Sequence, residues 1–136
     1  MRMGGAILFV KNLGEMTAFY REVIGFNPIE QSRRDDWVEF EVGGTGFALH
    51  AIPRAIASDI PIASPPVARE SDSCKLILAV DDLDREQARL AAAGVTVLHR
   101  PWGGWDILDP EGNVLGVHGP MPEDQPMRTQ PTASST

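Results

Sequence analysis

Apolar side chains recur at Leu13, Met16, Phe19, Tyr20, Val23 and Ile24, the three-and-four spacing that lays one stripe along a helix. Asn12 stands where an N-cap belongs, Glu15 follows three residues later as in a capping box, and Gly25 can take the left-handed conformation that ends the helix. On both sides of this stripe the period shortens to two. Residues 6–10 form a short apolar strand, residues 27–31 read as a strand and residues 32–36 as a charged turn. In residues 37–42, Val38, Phe40 and Val42 alternate with Trp37, Glu39 and Glu41, and the glycine-rich turn at 43–46 closes a hairpin into a strand at 47–52.

The same succession returns further on. Residues 75–80 read as a strand, residues 83–93 as a helix capped by Asp81 or Asp82, and residues 95–99 as a strand. A hairpin follows, with arms at 105–108 and 114–118 joined by Asp109-Pro110-Glu111-Gly112-Asn113, where proline fixes φ and glycine accepts a positive one. Val10, Leu13, Ala18 and Gly25 recur as Val80, Leu83, Ala88 and Gly94, and Ala48-Leu49-His50 recurs as Gly116-Val117-His118. The chain therefore repeats a βαβββ module, and four strands curling into a half-shell with the helix outside predict an α+β fold of two curved mixed sheets around a cleft. The half-modules span 5–52 and 74–119, within one domain covering 1–119. Between them, residues 53–73 are rich in proline, alanine and serine and carry no period, which leaves open a lid or a linker between halves. Residues 120–136 hold too little apolar surface to offset chain entropy, and disorder is expected there.

Composition narrows the function classes. At 136 residues the chain can bury one core but not two domains of ordinary size. Its net charge of -7 argues against nucleic acid, whose binding needs clustered lysine and arginine, and suits a cationic ligand without requiring one. A single cysteine, Cys74, excludes an intrachain disulfide and a thiolate metal cage. No apolar run approaches the ~18 residues of a bilayer span, and the first residues lack a leader pattern. A cytoplasmic protein with no membrane partner is the expectation.

The runs FYREVIGF, VDDLDREQARLAAAGV and WGGWDILDPEGN resemble the vicinal oxygen chelate superfamily, the group of glyoxalases, extradiol dioxygenases, fosfomycin-modifying enzymes and bleomycin-resistance proteins. The likeness covers residues 5–119. For the enzymes of that family it implies metal ligands, usually His, Glu or Gln, on the inner faces of the first and fourth strands of each module. Those positions fall on Gly5, Ala48, Lys75 and Gly116. Glycine and alanine offer no donor, and a protonated lysine repels a divalent cation.

On the alternation above, Trp37, Glu39 and Glu41 share the face away from the helix with His50, and His118 takes the equivalent place in the second module. Trp102 and Trp105 flank Gly103-Gly104, where the backbone can bend or approach a ligand. The candidate ligand-binding residues are Trp37, Glu39, His50, Lys75, Trp102, Trp105 and His118, a set that suits stacking and charge-assisted hydrogen bonds. Each also has a plain structural role: the tryptophans as core, the histidines as internally bonded groups, Lys75 as a side chain reaching solvent. The leading expectation is a metal-independent small-molecule binding protein of the bleomycin-resistance type, a homodimer that needs no cofactor and sequesters an aromatic or cationic compound. The alternative is a metal-dependent lyase, isomerase or dioxygenase of the glyoxalase type with ligands relocated to His50, His118 and Glu39. A third reading is a cofactor-free enzyme with His50 or His118 as general base.

Overall fold

In the first half of the chain, β1 (Gly5–Val10) leads into α1 (Leu13–Ala18), β2 (Asn27–Pro28), β3 (Trp37–Glu41), β4 (Gly46–Ala51) and a short α2 (Arg54–Ala57). These are the elements of a computed structural model that describes residues 1–101 and 104–120. The chain divides into two units, residues 1–63 and 64–136. The first sheet runs β1-β4-β3-β2, with β1 parallel to β4 and the other pairs antiparallel.

The helix starts where its cap dictates, because the Asn12 side chain accepts from the Glu15 backbone N–H at 3.0 Å. It ends at Gly25, whose φ of 93° is the left-handed turn the sequence calls for. Between Phe19 and Ile24 the coil widens to a π-helix, and the N–H groups of Gly25 and Phe26 both donate to Tyr20 O at 3.1 and 2.9 Å. The apolar stripe points Met16, Phe19 and Tyr20 into a core with Val38, Phe40, Phe47 and Leu49. Tyr20 is fully buried, with its ring 5.5 Å from Phe47 and 6.4 Å from Phe40.

Several predicted strands are shorter than their patterns, and the one at 27–31 is cut most. Pairing lasts through Pro28, and Ile29 N–H still donates to Glu39 O at 2.7 Å. A 3₁₀ turn at Glu30–Ser32 then takes over, with the Ser32 hydroxyl bonding back to Ile29 O at 2.7 Å. Proline lacks the ladder donor and serine offers the backbone a local partner, so the strand stops.

The second unit repeats the plan with β5 (Leu76–Ala79), α3 (Leu83–Ala92), β6 (Val97–His99), β7 (Trp105–Leu108) and β8 (Val114–His118) in the order β5-β8-β7-β6. Of the two candidate caps it is Asp82 that accepts from Arg85 N–H, at 3.1 Å. The β7–β8 turn is built on Asp109, which is wholly buried. Its Oδ1 accepts from the N–H groups of Glu111 and Asn113 at 2.9 and 3.0 Å, and its Oδ2 accepts from Asn113 Nδ2 at 2.8 Å. Gly112 has φ 83°, and a Cβ there would collide with Val67 O.

That collision shows where the connecting segment runs. Arg69 N–H donates to Gly112 O at 2.9 Å, so the later part of 53–73 lies on the turn of the second unit. The earlier part belongs to the first unit, where Ala57 is buried and Lys11 Nζ donates to Ile60 O at 2.6 Å. Two four-stranded mixed sheets with few helices are the α+β architecture predicted from the repeat. Trp102 and the tail beyond Pro120 lie outside the described residues. Among the described residues no helix is long and apolar enough to cross a membrane.

Candidate functional site

Strand register sorts side chains onto two faces of each sheet, because neighbours in register point the same way. In the first unit Trp37 pairs with His50 and Glu39 with Ala48 on β3 and β4, while Phe9 pairs with His50 on β1. This face lies opposite the Tyr20 core. It carries Ile7 and Phe9, 50% and 59% exposed, although both are large and apolar. The His50 ring sits 5.6 Å from Phe9 and 5.5 Å from Trp37, edge-on to the indole. His50 Nε2 lies 3.3 Å from Asp36 Oδ2, and the Arg34 guanidinium stacks 5.3 Å from the Trp37 ring centre. Rings beside carboxylates can stack on a planar group and hold a positive one.

The equivalent face of the second unit is ionic. Asp106 on β7 is buried, yet its Oδ1 meets Lys75 Nζ at 2.9 Å and its Oδ2 meets Arg100 Nε at 2.6 Å. Arg100 Nη1 reaches Glu70 Oε1 at 2.7 Å. Lys75 precedes β5, and β8 lies between β5 and β7, so the lysine stem must cross β8 to reach Asp106. It crosses at Gly116, where a Cβ would stand 3.1 Å from Lys75 Cε and 2.8 Å from Ile77 Cδ1. The glycine is thus needed for the crossing. His118 Nε2 approaches the same point at 3.4 Å. Burial holds the His118 pKa below its ordinary value and the Lys75 charge adds to this, against an opposing pull from Asp106. The neutral imidazole therefore predominates at neutral pH. Arg100 is held above its ordinary value by its hydrogen bonds to Asp106 and Glu70, which outweigh burial.

The structure brings Trp37, Glu39 and His50 to one face of the first unit, and Lys75 and His118 to one face of the second. Trp105 does not join them. It pairs with Val117 in register, falls with Ile107 and Leu115 on the opposite face and is 9% exposed, the position of a core side chain. Two contributors were missed in the sequence. Phe9 hides in a run of apolar residues whose alternate members face outward. Asp106 is signalled by its alternation with Trp105 and Ile107 and its register opposite Gly116.

The metal positions of the resembling enzymes can be tested against these surroundings. At Gly5 a Cβ would lie 2.7 Å from Gly46 O, so a ligating side chain does not fit without moving the strand. Ala48 has no donor, and Lys75 and Gly116 are committed to the ion pair. Among the described residues no three His, Cys, Asp or Glu side chains are placed to hold an ion together. The donor set does not fit the metal site of the family's enzymes.

A structure from Burkholderia phytofirmans PsJN, described as a glyoxalase/bleomycin resistance protein/dioxygenase family enzyme, is 23% identical with a TM-score of 0.65, over 87% of this chain and 98% of that one. TnmS3, an antibiotic binding protein from Streptomyces sp. CB03234, is 25% identical with a TM-score of 0.60, over 89% of this chain and 97% of its own. A lactoylglutathione lyase from Agrobacterium tumefaciens is 23% identical with a TM-score of 0.60, over 87% and 92%. Among curated proteins no sequence matches the chain. The signature of one family does match, over residues 2–117, and with the doubled βαβββ plan it places the chain in the Glyoxalase/Bleomycin resistance protein/Dioxygenase superfamily.

Proposed function

We propose that the protein binds a flat aromatic small molecule with a cationic group on the exposed face of its first module, and that it does so without a metal ion. One observation carries this reading: Ile7 and Phe9 stand half or more exposed beside the Trp37–His50 pair on a face that also bears Glu39. Apolar rings left open to water beside a carboxylate favour a ligand that covers the rings and pairs with the charge. The likeness to an antibiotic binding protein points the same way. The lyase shares only the fold. On the second module Lys75 is engaged by Asp106, so its ammonium orders the sheet rather than waiting for a ligand. A homodimer is part of the proposal, because each sheet ends on edge strands, β1 and β2 in one and β5 and β6 in the other. Light scattering at micromolar concentration is expected to give twice 14.8 kDa.

The binding claim is tested by a thermal-shift panel of planar organic cations, neutral aromatics and aromatic antibiotics in EDTA-containing buffer. A ligand of the stated class raises the melting temperature with concentration, and the compound is recovered unchanged. Stabilisation that appears only when a divalent metal is restored, or recovery of a converted product, would contradict the reading.

A further inference from the structure

A recess lies on the helix side of the first sheet, and it shares only Arg34, which also stacks on Trp37, with the face described above. It is a cleft of about 420 Å³ between α1 and the turn at residues 33–35, within the size range of small-molecule sites. Leu13, Ala18 and Val38 supply apolar lining, and Arg21, Arg33 and Arg34 bring positive charge. Asp35 is the one acid among the lining residues, in a chain whose net charge is -7.

The arginines are held loosely. Arg21 pairs with its exposed neighbour Glu22 at 2.9 Å, and Arg33 with exposed Glu30 at 3.4 Å. Each pair engages one guanidinium nitrogen, which leaves further N–H donors for the carboxylate of a ligand. Thr17 adds an independent sign. It lines the same cleft, is only 7% exposed, and its Oγ1 is the one buried side-chain polar atom without a hydrogen-bond partner among the described residues. A buried hydroxyl without a partner is costly, and a ligand acceptor in the cleft that Thr17 lines would relieve that cost.

We propose that this cleft is a binding site for a small organic acid, its carboxylate held by Arg21 and Arg33, its apolar body against Leu13, Ala18 and Val38, and the Thr17 hydroxyl as donor to the acid. The residues assigned to the acid do not include Arg34, the one side chain shared with the Trp37 face, so the proposal does not depend on that reading.

The test is an amide NMR titration of the full chain with sodium benzoate, and with inorganic phosphate as the anion that lacks an apolar body. Benzoate is expected to give saturable shifts at Gly14, Thr17 and Ala18. Affinity falls at least tenfold in the Arg21→Gln, Arg33→Gln double variant, whose exposed side chains leave the fold intact, and severalfold in Thr17→Val. Phosphate binds more weakly than benzoate. Shifts confined to Trp37 and His50, no saturation, unchanged affinity in both variants, or phosphate binding as tightly as benzoate would overturn the assignment.

Discussion

The two modules share strand order, connectivity and helix placement, and their equivalent faces do opposite things. In the first module the face away from the helix leaves Ile7 and Phe9 open beside Trp37 and His50. In the second the same face is closed by a chain of charge from Lys75 through Asp106 and Arg100 to Glu70. Their hairpins differ likewise. The β3–β4 turn relies on Gly43 and Gly44 at φ 87° and 109°, with exposed Glu41 accepting from Gly43 N–H at 3.3 Å. The β7–β8 turn is held from inside by buried Asp109. The backbone plan is the same in both, and the outward alternate positions decide which half is open and which is fixed.

The comparison can be broken most severely at the cores. Tyr20→Ala removes the ring that touches Phe26, Phe40 and Phe47, and should cost about 3–5 kcal/mol in urea unfolding. Next comes the fixed face of the second module. Asp106→Ala leaves Arg100 and Lys75 facing a buried gap and should cost roughly 3 kcal/mol, the low end for a buried pair because Lys75 is partly in solvent. Glu41→Ala, at the exposed turn of the first module, should stay within about 0.5 kcal/mol.

The open face predicts the reverse pattern. Trp37→Ala should weaken binding of a ligand found in the panel by on the order of 1 to 3 kcal/mol, and its stability should change by less than its affinity. Equal affinity with a large loss of stability would make Trp37 a structural residue. The smallest effect is a pH dependence. The His118 pKa lies below 6.5 in the folded protein, so between the two values the unfolded chain binds more protons and stability rises with pH. That contribution is present above about pH 6.5 and is lost as pH falls through the folded value. His118→Gln should flatten this part of the stability profile.

How much of this was legible in the sequence depended on whether the signal was local. The Asn12 cap, the Gly25 stop and the Asp109 turn are set by neighbours a few residues away, and each appears where its pattern places it. The doubled module was legible because its repeats keep register. Strand length was less so, since Ser32 competes with the ladder for Ile29 O and ends β2 early. Alternation put Trp37, Glu39 and His50 on one face, as the register has them. Trp105 was placed by its position beside Gly103-Gly104 and not by alternation, and its register with Val117 turns it into the core. For Asp106 alternation signals the face, while its partners come from residues 75 and 100, and only the folded sheet brings these together.

The proposed binding face works without a metal, and the positions that the resemblance assigns to metal ligands hold Gly5, Ala48, Lys75 and Gly116. The most direct measurement is elemental analysis of the purified protein after growth in metal-supplemented medium, with the His50→Ala, His118→Ala double variant beside it. No stoichiometric zinc, nickel, manganese or iron is expected in either protein. One ion per chain in the parent, lost in the double variant, would contradict this and establish a relocated metal site on His50 and His118.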